Sequence, residues 1–200
     1  DATPLFVMLA GAYLERTGDV EAIRGLWPHI EAALSWIDRY GDRDGDGYVE
    51  YGRLTDKGLA NQGWKDSHDS VFHADGTLAT GPIALCEVQA YVYGALRAAQ
   101  AMAMQLGHAD PTARCAQRAD ALRNAFNQDF FDPELGTYVL ALDGDKRACR
   151  VRSSNAGHAL WTGIADTDQA AAVAGTLLSR SGFSGWGIRT LSDQHPAYNP

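Results

Sequence analysis

The chain has 200 residues, 46% of them hydrophobic, and a formal net charge of −8. This length is enough for one domain with a substantial core. The acidic balance argues against a nucleic-acid backbone or an anionic membrane as a partner, because both attract basic surfaces. The sequence shows no run of about 18 apolar residues and no basic-then-apolar leader, so we expect a soluble protein.

The three cysteines, Cys86, Cys115 and Cys149, are widely spaced and odd in number. This pattern favours neither a disulfide framework nor a Cys-x-x-Cys metal site. We therefore expect reduced thiols in a cytoplasmic protein, with no metal or other cofactor.

Apolar residues at helical spacing predict six helices in three consecutive hairpins. The first helix is expected from Thr3-Pro4 to Gly18, and the second from the N-cap Asp19 to about Tyr40. Pro28 is expected to kink or restart the second helix. Its two tryptophans, Trp27 and Trp36, are interpreted as core or packing residues.

The later helices follow the same spacing. The third is expected from Gly81-Pro82 to Gly107 and the fourth from Asp110-Pro111 to about residue 131. A short fifth helix follows His158, and a sixth covers about 167–178. The fold class is therefore predicted to be all-α.

Residues 136–151 predict one small β-hairpin with a turn at Asp143-Gly144-Asp145. Most aromatic-plus-polar clusters lie in three irregular segments, 42–70, 153–158 and 182–199. Helical hairpins with such loops at one end are typical of an α-solenoid or an α/α toroid. No clean repeat of fixed period is present, which weakens the solenoid.

Residues 42–50, with acids at positions one, three and five and glycine at six, imitate the start of an EF-hand loop. The twelfth position, where an EF-hand needs a bidentate glutamate, is Arg53. We interpret the segment as an Asp/Gly turn whose side chains cap backbone amides, and we predict no metal there.

Residues 61–70 combine carboxylates, a lysine, a histidine, amides and a tryptophan without apolar periodicity. A sugar ring can stack on the indole of Trp64 while polar groups meet its hydroxyls and glycosidic oxygen. We therefore interpret Asp66 as a candidate glycosidase acid. Ser67, His68 and Ser70 are not interpreted as a nucleophilic triad, because no strand-turn-helix elbow surrounds them.

Four ordered blocks span nearly the whole chain: 61–67 (NQGWKDS), 81–89 (GPIALCEVQ), 154–158 (SNAGH) and 184–192 (SGWGIRTLS). Together they resemble the bacterial amylo-α-1,6-glucosidase, or glycogen-debranching-enzyme-like, proteins of the six-hairpin glycosidase superfamily. The last block is also similar to a segment of glycoside hydrolase family 63 α-glucosidases.

The resemblance implies an (α/α)6 barrel of twelve helices with substrate at its mouth. Only about half of those helices are expected here, so residues 1–200 are predicted to be a single-domain piece of a catalytic barrel, a partial (α/α)6 toroid. The apolar helix faces that this leaves open are expected to make it unstable or sticky alone.

The resemblance also implies the chemistry. Asp66 is expected to be the general acid, with a pKa raised by burial or by Glu87. Relatives invert the anomeric carbon, which requires a second carboxylate as base. That base is expected beyond Pro200, with Glu50 as a possible stand-in, so these residues alone are expected to be inactive.

The expected substrate is an oligosaccharide or α-glucoside. The substrate-binding candidates are the stacking platform Trp64, the hydroxyl partners Lys65, Gln62 and Glu87, the cleft residues Trp186 and Arg189, and the weaker candidates Asn155 and His158. Asp69 and His68 are candidates for orienting Asp66.

Two other function classes remain open at this point. One is a non-enzymatic helical-repeat binding scaffold. The other is a sugar epimerase or polysaccharide lyase on a similar toroid, which would use a histidine or tyrosine base.

Overall fold

The computed structural model describes residues 1–53, 55, 57–65 and 67–199. Its helices are α1 (Ala2–Thr17), α2 (Val20–Trp36), α3 (Cys86–Leu106), α4 (Ala109–Asp129), α5 (Gly157–Thr162) and α6 (Thr167–Leu177). Its strands are β1 (Ala84–Leu85), β2 (Phe131–Asp132), β3 (Thr137–Tyr138) and β4 (Ala141–Leu142). Among the described residues, no helix is both long enough and apolar enough to cross a membrane.

The boundary between α1 and α2 follows from local sequence. Gly18 adopts a left-handed conformation with φ of 68° and its N–H donates to the Leu14 carbonyl, which ends α1. The Asp19 side chain then accepts a hydrogen bond from the Ala22 N–H and begins α2. Both predicted boundaries are confirmed.

Helix α2 runs without interruption through Pro28, so the predicted restart is wrong. Pro28 and Arg24 both lie on the exposed face, where water can replace the hydrogen bond that proline removes. The opposite face is buried through Ile23, Trp27 and Ile30 and holds the helix together.

The two tryptophans of α2 differ. Trp27 is buried and contacts His108 edge to face, with ring centroids 5.1 Å apart, as predicted for a core residue. Trp36 is half exposed and contacts Tyr40, so of the two predicted roles, core or packing, it has the packing role. The buried stripe continues to Ile37 in the π-helical turn that follows, which leaves Trp36 beside the stripe.

The third helix begins at Cys86, five residues later than predicted. The preceding Ala84–Leu85 is extended because it pairs with Ala141–Leu142, while Ile83 pairs with Tyr51. Gly81 has φ of 84°, and an added Cβ would lie 2.8 Å from the Gly144 Cα, so the two backbones touch.

The predicted β-hairpin is present, but the prediction did not include all of its strand pairings. The Leu140 N–H donates to the Cys149 carbonyl and the Asp143 N–H to the Arg147 carbonyl, as in the expected hairpin. Its first arm also pairs elsewhere: β4 with β1, and β3 with β2, each antiparallel. These longer-range pairs attach the hairpin to the start of α3 and the end of α4.

Helix α3 is central, with buried residues on most of its surface, and packs against α1, α4 and α5. Its approach to α1 is close, since an added Cβ on Gly11 would lie 2.6 Å from the Ala98 Cβ. The pairs α1 with α2, α3 with α4, and α5 with α6 form three helical hairpins. The predicted fold class, an all-α partial toroid, is confirmed.

An open apolar groove of about 910 Å³ lies between α1, α3 and α5. Leu9, Met104 and Trp161 line it and are largely exposed. A contiguous apolar surface of this kind is typical of a face that another element covers.

Candidate active site

The polar loop 61–70 is organised around a buried amide. The Asn61 Nδ2 donates to the Lys65 carbonyl and to the Ser70 hydroxyl. The Ser70 hydroxyl donates in turn to the Ser67 carbonyl over 2.8 Å. Asp66, the predicted acid, lies outside the described residues, but the positions on both sides of it belong to this bonded loop.

Glu87 lies in the first turn of α3 with only 1% of its surface exposed. Its Oε2 accepts a hydrogen bond from the Asn155 Nδ2 over 2.8 Å, and the Asn155 Oδ1 accepts one from the Ser153 hydroxyl. Burial raises the pKa of Glu87, and the Asn155 hydrogen bond acts in the opposite direction. Asn155 is itself buried, so the structure places it as a holder of Glu87.

The loop touches this carboxylate through Gly63. A Cβ added to Gly63 would lie 2.4 Å from the Leu85 Cδ1 and 3.0 Å from the Glu87 Oε1. Only glycine therefore lets the 61–70 backbone approach the first turn of α3 this closely. The loop and Glu87 belong to one site.

Lys65 joins this loop to the segment near the end of the chain. Its Nζ donates to the Thr190 carbonyl over 2.9 Å and lies 5.5 Å from the centre of the Trp64 ring. The same carbonyl accepts the Ser154 N–H, which keeps Thr190 in place. Burial lowers the pKa of Lys65 to about 8, although the charge of Glu87 opposes that shift.

An aromatic group flanks the lysine. The ring centroids of Trp64 and His158 are 5.7 Å apart, and those of His158 and Tyr91 are 5.3 Å apart. The Tyr91 hydroxyl and the His158 Nδ1 are hydrogen bonded at 2.9 Å. Burial, and then the charge of Lys65, lower the pKa of His158. Trp64 remains 42% exposed, so its indole offers a surface to a ligand.

A cleft of about 310 Å³ opens beside these residues. Trp64, Lys65 and Asp69 line one side, and Ser153 and Thr190 line the other. An indole beside a cation and several hydroxyl or carbonyl groups can stack on a sugar ring and bind its hydroxyls.

Five of the predicted site residues thus come together: Trp64, Lys65, Glu87, Asn155 and His158. Among the other described candidates, Gln62 is exposed.

Trp186 is 99% exposed at the tip of a turn in which the Ser184 hydroxyl accepts the Gly187 N–H. Arg189 donates to the Tyr198 hydroxyl and to the Arg180 carbonyl. The 182–192 segment reaches the cleft through the Thr190 backbone.

Tyr91 follows Glu87 by one turn of α3 and was not among the residues predicted for the site. The i, i+4 spacing was the available signal. Ser153 and Thr190 carried no comparable signal, because they act through tertiary pairing between residues 152–154 and 190–192.

The stand-in base Glu50 is buried and bound to the Lys146 ammonium. Glu50 does not line the cleft beside Trp64. In this arrangement Glu50 does not provide a base for the candidate site.

A family model described as the mannosylglycerate hydrolase MGH1-like glycoside hydrolase domain matches residues 2–200. Among solved structures, a GH78 family rhamnosidase of Bacillus sp. GL1 is 19% identical with a TM-score of 0.67; the alignment covers 88% of this chain and 17% of that one. A protein described as a sialidase is 20% identical with a TM-score of 0.74, over 94% of this chain and 16% of that one. The chain therefore spans less than a fifth of both structures, which share its fold. A search among curated proteins gave no match.

Proposed function

The chain belongs to the mannosylglycerate hydrolase MGH1-like glycoside hydrolase family, and from that premise we propose that the cleft beside Trp64 binds the sugar of an O-glycoside that the protein hydrolyses. The observation that carries the proposal is the contact between loop 61–70 and Glu87. It brings a buried carboxylate against the loop whose exposed indole and half-buried ammonium line the cleft.

Asp66 is the proposed general acid. A catalytic acid must carry its proton near neutral pH, which burial or a nearby carboxylate promotes. Glu87, which the loop approaches through Gly63, supports the assignment, since a negative charge there would favour the protonated form of a carboxyl group on the loop.

We propose that the enzyme inverts the anomeric carbon and that its base comes from outside residues 1–200. Two buried carboxylates in the described part of the chain are already engaged, Glu50 with Lys146 and Asp143 with Arg147. An engaged carboxylate is a poor acceptor for a proton from water. Residues 1–200 alone are accordingly expected to hydrolyse nothing.

For the substrate we propose an α-glucoside of the debranching type, which the resemblance of the four sequence blocks supports. A second candidate is a glycoside with an anionic aglycone such as mannosylglycerate, which the description of the family names. The half-buried ammonium of Lys65 favours it, because a carboxylate can pair with that charge.

The proposal is tested in the full-length protein with Asp66→Asn. We expect turnover to fall by about 10²–10⁴-fold while the oligosaccharide still binds. Asp168→Asn, at an exposed carboxylate on α6 that does not line the cleft, is the control and should retain activity. Turnover unchanged in Asp66→Asn would contradict the assignment.

The products separate the alternatives. An inverting hydrolase acting on an α-glucoside releases β-glucose first, which NMR detects. Isomerised or unsaturated products would indicate the epimerase or lyase, and binding without turnover would indicate the scaffold. Lys65→Gln should weaken turnover of mannosylglycerate more than that of a neutral glucoside if the second substrate is correct.

We further propose that residues 1–200 form one domain unit and that additional helices of the toroid cover the apolar groove. The exposed Leu9, Met104 and Trp161 support this. A cytoplasmic location is also proposed, because all three cysteines are buried free thiols.

A further inference from the structure

The acidic loop 42–50 carries three aspartates whose oxygens converge. Ligand atoms of Asp42, Asp44 and Asp46 all lie within 4.8 Å of one another. Asp42 caps the N–H groups of Gly45 and Gly47 with its two oxygens. The predicted capping role is confirmed for all three, since Asp44 accepts the Asp46 N–H and Asp46 accepts the Tyr48 N–H. Asp44 and Asp46 also have oxygens directed to a cation.

That cation is the ammonium of Lys146. Its Nζ lies 2.9 Å from an Asp44 oxygen and 2.5 Å from an Asp46 oxygen, and it also contacts Glu50. Lys146 comes from the β-hairpin turn, about 100 positions away along the chain. The ammonium is therefore held between carboxylates that only the tertiary fold brings to it.

Two features show how strongly the structure holds this lysine. Among the described residues, Lys146 is the only non-glycine residue with a positive φ, which is 60°. This conformation costs free energy for any residue other than glycine. Although burial acts in the opposite direction, hydrogen bonds to Asp46, Glu50 and Asp44 hold the pKa of Lys146 above its ordinary value. The ammonium thus stays charged where it is.

The cluster still has capacity for positive charge. Three carboxylates contact one ammonium, and the Glu50 side chain is 1% exposed. Its Oε2 has no hydrogen-bond partner in the part of the chain that the structure describes. A buried carboxylate that contacts the cluster's cation through one oxygen and leaves the other without a partner offers the kind of oxygen ligand that a hard divalent cation binds.

We propose that Lys146 is the resident cation of this loop: its ammonium fills the position between Asp44, Asp46 and Glu50 that Ca²⁺ would otherwise take, and Ca²⁺ binds only when that ammonium is removed. The residue at the twelfth position of the loop, Arg53, agrees with this proposal, because it supplies no carboxylate ligand for a metal.

The cluster also bears on the candidate site. The Val49 N–H donates to the Gln89 Oε1, and the Gln89 Nε2 donates to the Val49 carbonyl. Gln89 lies two residues after Glu87 in the first turns of α3. An internal cation therefore keeps this end of α3 anchored at any Ca²⁺ concentration.

The experiment measures the thermal midpoint of the protein during Ca²⁺ titration, with NaCl added to keep the ionic strength constant. Wild-type protein is expected to show no saturable change. Lys146→Met should lower the midpoint by roughly 5–10 °C without Ca²⁺, and Ca²⁺ should restore it with a saturable dependence. Lys57→Met, at an exposed lysine, is the control and should behave as wild type.

Two further variants complete the test. Lys146→Arg keeps the positive charge and should remain insensitive to Ca²⁺. Lys146→Met combined with Asp44→Asn should lose most of the restoration, because one oxygen ligand is removed. A saturable rise of the wild-type midpoint would overturn the proposal. It would also fail if Lys146→Met did not respond to Ca²⁺ or did not fold at any Ca²⁺ concentration.

Discussion

Single residues at the candidate site show how burial sets their charge. Lys65 and Glu87 are withdrawn from water, so the pKa of the ammonium is lowered and that of the carboxyl group raised. Each retains a specific partner, the Thr190 carbonyl for Lys65 and the Asn155 amide for Glu87. Titratable groups with shifted pKa values in a cleft are typical of catalytic or binding sites.

Lys65 gives the protein a defined pH dependence of stability. Its pKa is about 8 in the folded chain against 10.5 ordinarily, so between these values the unfolded chain holds more protons. The free energy of unfolding of the wild type minus that of Lys65→Met should therefore rise with pH across that window. Below about pH 7 this difference should be constant. Urea unfolding from pH 7 to 10.5 measures this.

The control for that prediction is Lys57→Met, which removes an exposed lysine. Its difference from wild type should not change across the window. A difference between Lys65→Met and wild type that is flat with pH would show that Lys65 is not withdrawn from water.

The next scale is that of the elements, and here the close approach of loop 61–70 to β1 and α3 matters most. Among the described residues, loop 61–70 has no long regular pairing with β1 or with α3. Contact depends instead on Gly63, whose missing side chain leaves room for Leu85 and Glu87. The buried Asn61 then keeps the loop in the shape that makes this approach.

Gly63→Ala is predicted to push the loop away from α3. The new methyl group would meet the Leu85 Cδ1 at 2.4 Å, and Leu85 is buried and has little room to move. We expect the folded state to lose about 1–3 kcal/mol and turnover to fall with it. Urea unfolding and initial rates measure the two effects.

Gly187→Ala is the matched control, since an added Cβ there meets nothing within 4 Å. It should leave both stability and turnover close to wild type. Equal behaviour of the two variants would mean that Gly63 is not needed for the loop contact.

For the molecule as a whole, the apolar groove between α1, α3 and α5 is the feature that the three hairpins leave open. Residues 1–200 produced alone are predicted to self-associate through it, because contiguous apolar surface is removed from water. Leu9→Lys should reduce the association, measured as mass by light scattering.

Leu59→Lys is the control for this prediction. Leu59 is 70% exposed, much like Leu9 at 69%, but does not line the groove. Association that responds equally to both substitutions would indicate nonspecific stickiness. In the full-length protein, Leu9→Lys is instead expected to lower stability if further helices cover the groove.

The helices and their ends were accessible from sequence, because apolar spacing, Gly18, Asp19 and Gly107 act within a few residues of chain. The start of α3 was missed, since pairing of β1 with β4 joins residues almost 60 positions apart. The spacing of Trp36 left its core and packing roles undivided, because spacing alone does not show which side of the stripe the core covers.

The sequence by itself determined the helical class and the position of loop 61–70, because periodicity and residue composition are local properties. The resemblance of its four blocks also indicated a glycoside hydrolase, although the family whose model matches is the MGH1-like one and not the debranching type. Only the tertiary structure decided which polar residues meet. It placed Asn155 on Glu87, Lys65 on Thr190 and Lys146 among the acids of loop 42–50. Each of these contacts spans a long stretch of chain, and its geometry depends on how the hairpins pack.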